Sequence, residues 1–67
     1  MNIILNNNKE FINKEKLYVA DLLQIKNFTF KMLIIKINGK LVKQPDYANA
    51  EINDGDDVMV LHLISGG

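Results

Sequence analysis

Apolar positions open the chain at Ile3, Ile4 and Leu5, a short run rich in residues that suit a strand. Asn6-Asn7-Asn8 follows. Asparagine tolerates left-handed backbone conformations and bonds its own backbone, so the triplet predicts a tight turn. Lys9 to Ile12 is then the return strand of a hairpin, anchored by Phe11. From Tyr18 to Asn27 the period changes. Val19, Leu22 and Leu23 fall at i, i+3 and i+4, one face of a helix, and Lys26 at i+7 interrupts the stripe and predicts a short one. No Ser, Thr or Asp stands directly before Val19 as a cap, and Asn13 or Asn27 marks the outer limits. Burial of the apolar face outweighs this weakness in propensity.

Met32 to Ile37 is the next strand signal, followed by Asn38-Gly39 and Lys40-Leu41-Val42. An Asn-Gly pair between apolar runs predicts a hairpin, because both turn positions need positive φ. Pro45 ends that strand, residues 46 to 52 read as a loop with a turn of helix, and Asp54-Gly55-Asp56 is a second turn. The final strand, Val58 to Leu63 or Ile64, is apolar on both faces, which suits a central strand or one that meets a partner. A hairpin, a helix and more strands predict an α+β layer. Pairing of the last strand with the first is then parallel, which is the ubiquitin-like β-grasp arrangement. The expectation is a four- to five-stranded mixed sheet with one main helix on one face. Ile3, Leu5, Val19, Leu22, Leu23, Ile35, Ile37, Val58 and Val60 form its core, and alternation turns Ile4, Met59, Leu61 and Leu63 to the other face.

Length narrows the functional classes. A chain of 67 residues is one small domain, expected over 1–64 with a flexible tail at 65–67. A domain of this size buries only about 60 % of the surface its unfolded chain exposes, too little for a deep, walled pocket. A carrier, inhibitor or binding module is favoured over a self-sufficient enzyme. There is no cysteine, so neither a disulfide nor a Cys-rich zinc site is available. The single histidine, His62, has no ligand-like neighbours and reads as a partly buried residue near a strand end. Net charge is zero and the lysines are scattered, which argues against nucleic-acid binding. No apolar run is long enough for a signal peptide or a membrane span, so a cytoplasmic location is expected. An apolar patch of Ile4, Ile34, Met59, Leu61 and Leu63 on the open sheet face is the candidate partner surface.

The sequence closes on Leu63-Ile64-Ser65-Gly66-Gly67. Glycine is about 7 % of residues on average, so two terminal glycines arise by chance in roughly 0.5 % of chains. Without a Cβ, Gly66-Gly67 can enter a narrow channel of another protein, and its unhindered carboxylate can attack the α-phosphate of ATP.

With these residues the chain resembles the small ubiquitin-like sulfur carriers of the ThiS/MoaD family, and within them the thiamine-biosynthesis (ThiS) type. The likeness is carried by Met1-Asn2-Ile3-Ile4-Leu5-Asn6, Val19-Ala20-Asp21-Leu22-Leu23, Ile35-Lys36-Ile37-Asn38-Gly39-Lys40-Leu41-Val42, Asp54-Gly55-Asp56 and Ile64-Ser65-Gly66-Gly67. It spans essentially the whole chain. Tyr18 departs from the pattern, where the family usually has Ser or Thr before the helix. So do the shorter helix and the entry into the third strand at Lys31-Met32 without a Gly-rich loop.

The resemblance implies that an adenylating enzyme of the ubiquitin-activating-like type (ThiF) uses ATP to activate the Gly67 carboxylate. A sulfur donor such as a cysteine desulfurase then converts it to a thiocarboxylate, and thiazole synthase (ThiG) receives the sulfur. No cofactor is bound by the carrier itself. Two relatives share the tail chemistry. The molybdopterin synthase small subunit is usually longer, with prolines before its tail, whereas residues 57 to 65 contain none. A ubiquitin-like protein modifier would link Gly67 to a target lysine, and such proteins often carry basic residues near the tail; no lysine or arginine follows Lys43. A related carrier for another sulfur product and a plain binding module with an incidental tail are the further alternatives.

Overall fold

In the computed structural model, which describes residues 1–28 and 32–62, the chain reverses where asparagine and glycine let the backbone enter the left-handed region. Strand β1 (Asn2–Leu5) turns at Asn6 and Asn7, with φ of 50° and 68°, into β2 (Asn8–Phe11). A two-residue strand β3 (Leu17–Tyr18) runs straight into helix α1 (Val19–Ile25). Strand β4 (Leu33–Ile37) turns at Asn38 and Gly39, with φ of 51° and 83°, into β5 (Lys40–Val42). Both two-residue loops place positive φ at both central positions, the twist that matches the flanking strands. A 3-10 turn at Gln44–Asp46, which includes Pro45, leads to a two-residue strand β6 (Glu51–Ile52). A turn at Gly55, with φ of 87°, then feeds β7 (Asp57–His62).

Five strands form one mixed sheet in the order β2-β1-β7-β4-β5. Strand β7 lies at its centre, parallel to β1 through Ile4↔Asp57 and Leu5↔Val58, and antiparallel to β4 from Leu33↔His62 to Ile37↔Val58. With α1 packed across it, this is the β-grasp arrangement. The residues expected inside are there: Ile3, Leu5, Val19, Leu22, Ile35, Val58 and Val60 are buried, and Leu23 and Ile37 pack half-buried against them.

Several expectations are corrected. Phe11 does not anchor the first hairpin: it is 65 % exposed, and Ile12 is buried instead. The register explains the exchange, because Phe11 lies opposite Asn2, on the parity that faces away from the core residue Ile3. Residues 46 to 52, expected as a loop with a turn of helix, also contribute a strand. Ile52 of β6 pairs with Leu17 of β3 in a second, two-stranded sheet, and both side chains are fully buried. His62 is exposed rather than partly buried.

The helix ends are held by backbone and by Asp21. The N–H groups of Val19 and Ala20 donate to the carbonyls of Ala50 and Tyr47, at 3.0 and 2.9 Å, which ties the 44–50 segment to the helix start. Asp21 reaches back to accept the N–H of Tyr18 at 3.1 Å, as the acidic residue of a capping box does. At the other end Asn27, with φ of 58°, donates to Gln24, and Phe28 donates to Leu23. This pair of bonds is a Schellman closure, and Phe28 and Leu23 both pack half-buried against the core. Lys26, which interrupts the apolar stripe, is the C-cap and pairs with Glu10 of β2.

Candidate functional site: the open sheet face and strand β7

Helix α1 covers one face of the sheet, so alternation leaves the other face to solvent. Ile4 lies between buried Ile3 and Leu5, and Met59 lies between buried Val58 and Val60; both are half-buried on the opposite parity. Ile34 is half-buried opposite Leu61, which is 43 % exposed. These four candidate residues therefore share the face turned away from the helix. The fifth, Leu63, lies outside the described residues, as do Gly66 and Gly67.

The open face is more apolar than the sequence reading expected. Leu41 is 57 % exposed and pairs with Lys36, itself opposite Met59, so Leu41 extends the patch onto edge strand β5. Phe11 occupies the corresponding parity on the other edge strand, β2. Both could have been found by carrying the register one strand outward from β7 and β1. Lys9, opposite Ile4, and Lys36 supply positive charge among these apolar groups.

Two asparagines grip β7, one on each side. Asn38 accepts the N–H of Asp57 on Oδ1 at 2.9 Å and donates from Nδ2 to Asp56 at 3.0 Å. Its own backbone N–H donates to the Asp57 carbonyl at 2.7 Å. On the β1 side, Asn6 accepts the N–H of Val60 on Oδ1 at 2.8 Å and donates from Nδ2 to the Val60 carbonyl at 3.2 Å. In the sequence both residues are visible only as turn formers. No cluster of three or more His, Cys, Asp or Glu is placed to hold a metal among the described residues. No helix there is long and apolar enough to cross a membrane.

The model of the ThiS family matches residues 3–67, which includes both terminal glycines. The crystal structure of the thiamine biosynthesis protein ThiS from Geobacter metallireducens superposes with a TM-score of 0.89, covering 100 % of both chains at 25 % identity. The solution structure of a thiamine biosynthesis protein from the same organism gives 0.82, covering 100 % of this chain and 88 % of the other, again at 25 % identity.

Proposed function

The chain belongs to the ThiS family, and on that premise we propose that it is a sulfur carrier of thiamine biosynthesis, a co-substrate of partner enzymes rather than an enzyme. The observation that carries the reading is the family match through Gly67 on a β-grasp domain whose central strand, β7, is the last described element. In this reading a carboxylate oxygen of Gly67 attacks the α-phosphorus of ATP and displaces pyrophosphate. A persulfide sulfur then attacks the acyl carbon and displaces AMP. A second thiol then attacks the donor sulfur of the resulting acyl disulfide and cleaves the S–S bond that came from the persulfide. This releases the thiocarboxylate for thiazole synthase and leaves a disulfide on the donor. The chain supplies the acyl group, and the enzymes supply the nucleotide site and the sulfur.

The open face is the proposed docking surface for the adenylating enzyme of the ubiquitin-activating type, through Ile4, Ile34, Met59, Leu61 and Leu63. Small soluble domains rarely expose a contiguous apolar patch without a use for it. Gly66 and Gly67 are the residues proposed to enter the enzyme, because a chain without Cβ atoms passes where side chains cannot.

The test is ATP–pyrophosphate exchange with the cognate adenylating enzyme, comparing the wild type with deletion of Gly67 and with Gly66→Val. Deletion withdraws the carboxylate by up to ~3.6 Å, far more than a reacting geometry tolerates. Both variants are expected to lose exchange, with melting temperatures measured alongside to separate this from loss of the fold. Normal exchange by the Gly67 deletion would remove the tail as substrate and the carrier reading with it.

A further inference from the structure

We propose that Asn6 is a positioning residue for the reaction at Gly67, its side-chain amide fixing the direction in which β7 leaves the sheet. This rests on the carrier reading above. Strand β1 gives β7 its last backbone bond when Asn6 N–H donates to the Val58 carbonyl at 2.9 Å. There the chain turns away through Asn6 and Asn7. Two residues further along β7, the N–H and C=O of Val60 are both met by the Asn6 side chain, at 2.8 and 3.2 Å. One planar amide, offering an acceptor and a donor together, stands where the next peptide of a longer β1 would have stood.

The chemistry selects asparagine. Aspartate keeps the acceptor but has no donor for the Val60 carbonyl, and glutamine is one methylene too long. The backbone at Asn6, with φ of 50°, is a conformation that asparagine tolerates better than most residues. The turn is braced by Asn8, whose Nδ2 donates to the Asn6 carbonyl at 3.2 Å.

Strand β4 holds β7 from the other side over five residue pairs. Without the Asn6 amide, β7 beyond Val58 would lose its hold on the β1 side at Val60 and gain freedom to twist and peel there. Val60 lies upstream of Gly67, so angular freedom at this point is passed on when an enzyme holds the intervening chain extended. Misplacement of a reacting atom by about 1 Å can cost a hundredfold in rate. Asn38 grips β7 at Asp57, its opposite end. Slack there is absorbed by the pairing that follows, so Asn38 is the natural control.

The experiment uses the full chain and its adenylating enzyme with Mg-ATP, and measures pyrophosphate exchange against carrier concentration. Asn6→Gly keeps the turn conformation open and removes the amide. Its kcat is expected to fall about tenfold or more with KM within about twofold of wild type, the signature of lost positioning rather than lost docking. Asn38→Gly is expected to lower the melting temperature comparably and leave kcat within about twofold. Amide exchange at Val60 should accelerate in Asn6→Gly and not in Asn38→Gly. If Asn6→Gly does not fold, Asn6→Asp, which loses only the donor, carries the same test with a smaller kcat loss expected. An equal kcat loss in Asn38→Gly, a defect confined to KM, or unchanged kcat in the folded Asn6 variant overturns the inference alone. A wild-type chain that supports no exchange overturns the carrier reading, and this inference falls with it.

Discussion

Ile34 of β4 stands directly opposite Leu61 of β7, on the sheet face that α1 does not cover. The pair joins the two central strands without contributing to the core, so its side chains can be changed without opening a cavity. Leu61→Asp is expected to cost at most about 1 kcal/mol, the usual scale of a cross-strand pair. It should weaken docking to the adenylating enzyme at least about tenfold, since a charge would then face a desolvated apolar surface. Titration calorimetry beside a urea melt separates the two effects. Unchanged affinity in the folded variant would exclude this face from the interface.

The mini-sheet of β3 and β6 should matter far more than its length suggests. Ile52 is fully buried opposite Leu17, and the segment around it supplies the carbonyls that accept the first helical N–H groups. Ile52→Ala is expected to cost about 2–5 kcal/mol. A chain of this size has only about 3–10 kcal/mol in total. Equilibrium unfolding followed by circular dichroism reads the result, and a loss under about 1 kcal/mol would mean that β6 is dispensable.

Asp21 braces the helix start by accepting the N–H of the N-cap residue, Tyr18. Asp21→Ala is therefore expected to destabilise by about 1 kcal/mol. Asp21→Asn, which keeps an acceptor but loses the charge near the helix start, should cost less, by a few tenths to about 1 kcal/mol. Equal losses for the two variants would assign the effect to something other than this bond.

Phe11 and Ile12 offer a direct check of the first hairpin's parity. Phe11→Lys should leave stability within about 0.5 kcal/mol, while Ile12→Ala should cost about 2–5 kcal/mol. The reverse order in thermal melts would place Phe11 inside.

What could be read from the sequence follows from how local each determinant is. Asn38-Gly39 and the asparagine triplet announced their hairpins because a two-residue loop needs positive φ, which few residue types supply. The parity of Val58, Met59, Val60 and Leu61 followed from alternation once β7 was placed in the sheet. Phe11 misled because size suggested burial where parity dictated exposure. Leu17 and Ile52 escaped notice because a two-residue strand has no period, and their partners are distant in sequence. Asn6 and Asn38 were legible as turn residues but not as grips on β7, since their second role exists only after the chain has closed. Gly66 and Gly67 lie outside the described residues, so their proposed role rests on composition and resemblance.

The placement of β7 also has a kinetic consequence. Each hairpin, β1–β2 and β4–β5, can form from neighbours in the chain. They become one sheet only when the last described strand inserts between them, bringing together groups as far apart as Asn6 and Val60, 54 residues distant. The entropy of closing nearly the whole chain must be spent before that strand's contacts are gained. The same strand that completes the fold and leads toward Gly67 thus sets the pace of folding, so a chain whose hairpins have formed but whose β7 is still outside is not yet a carrier.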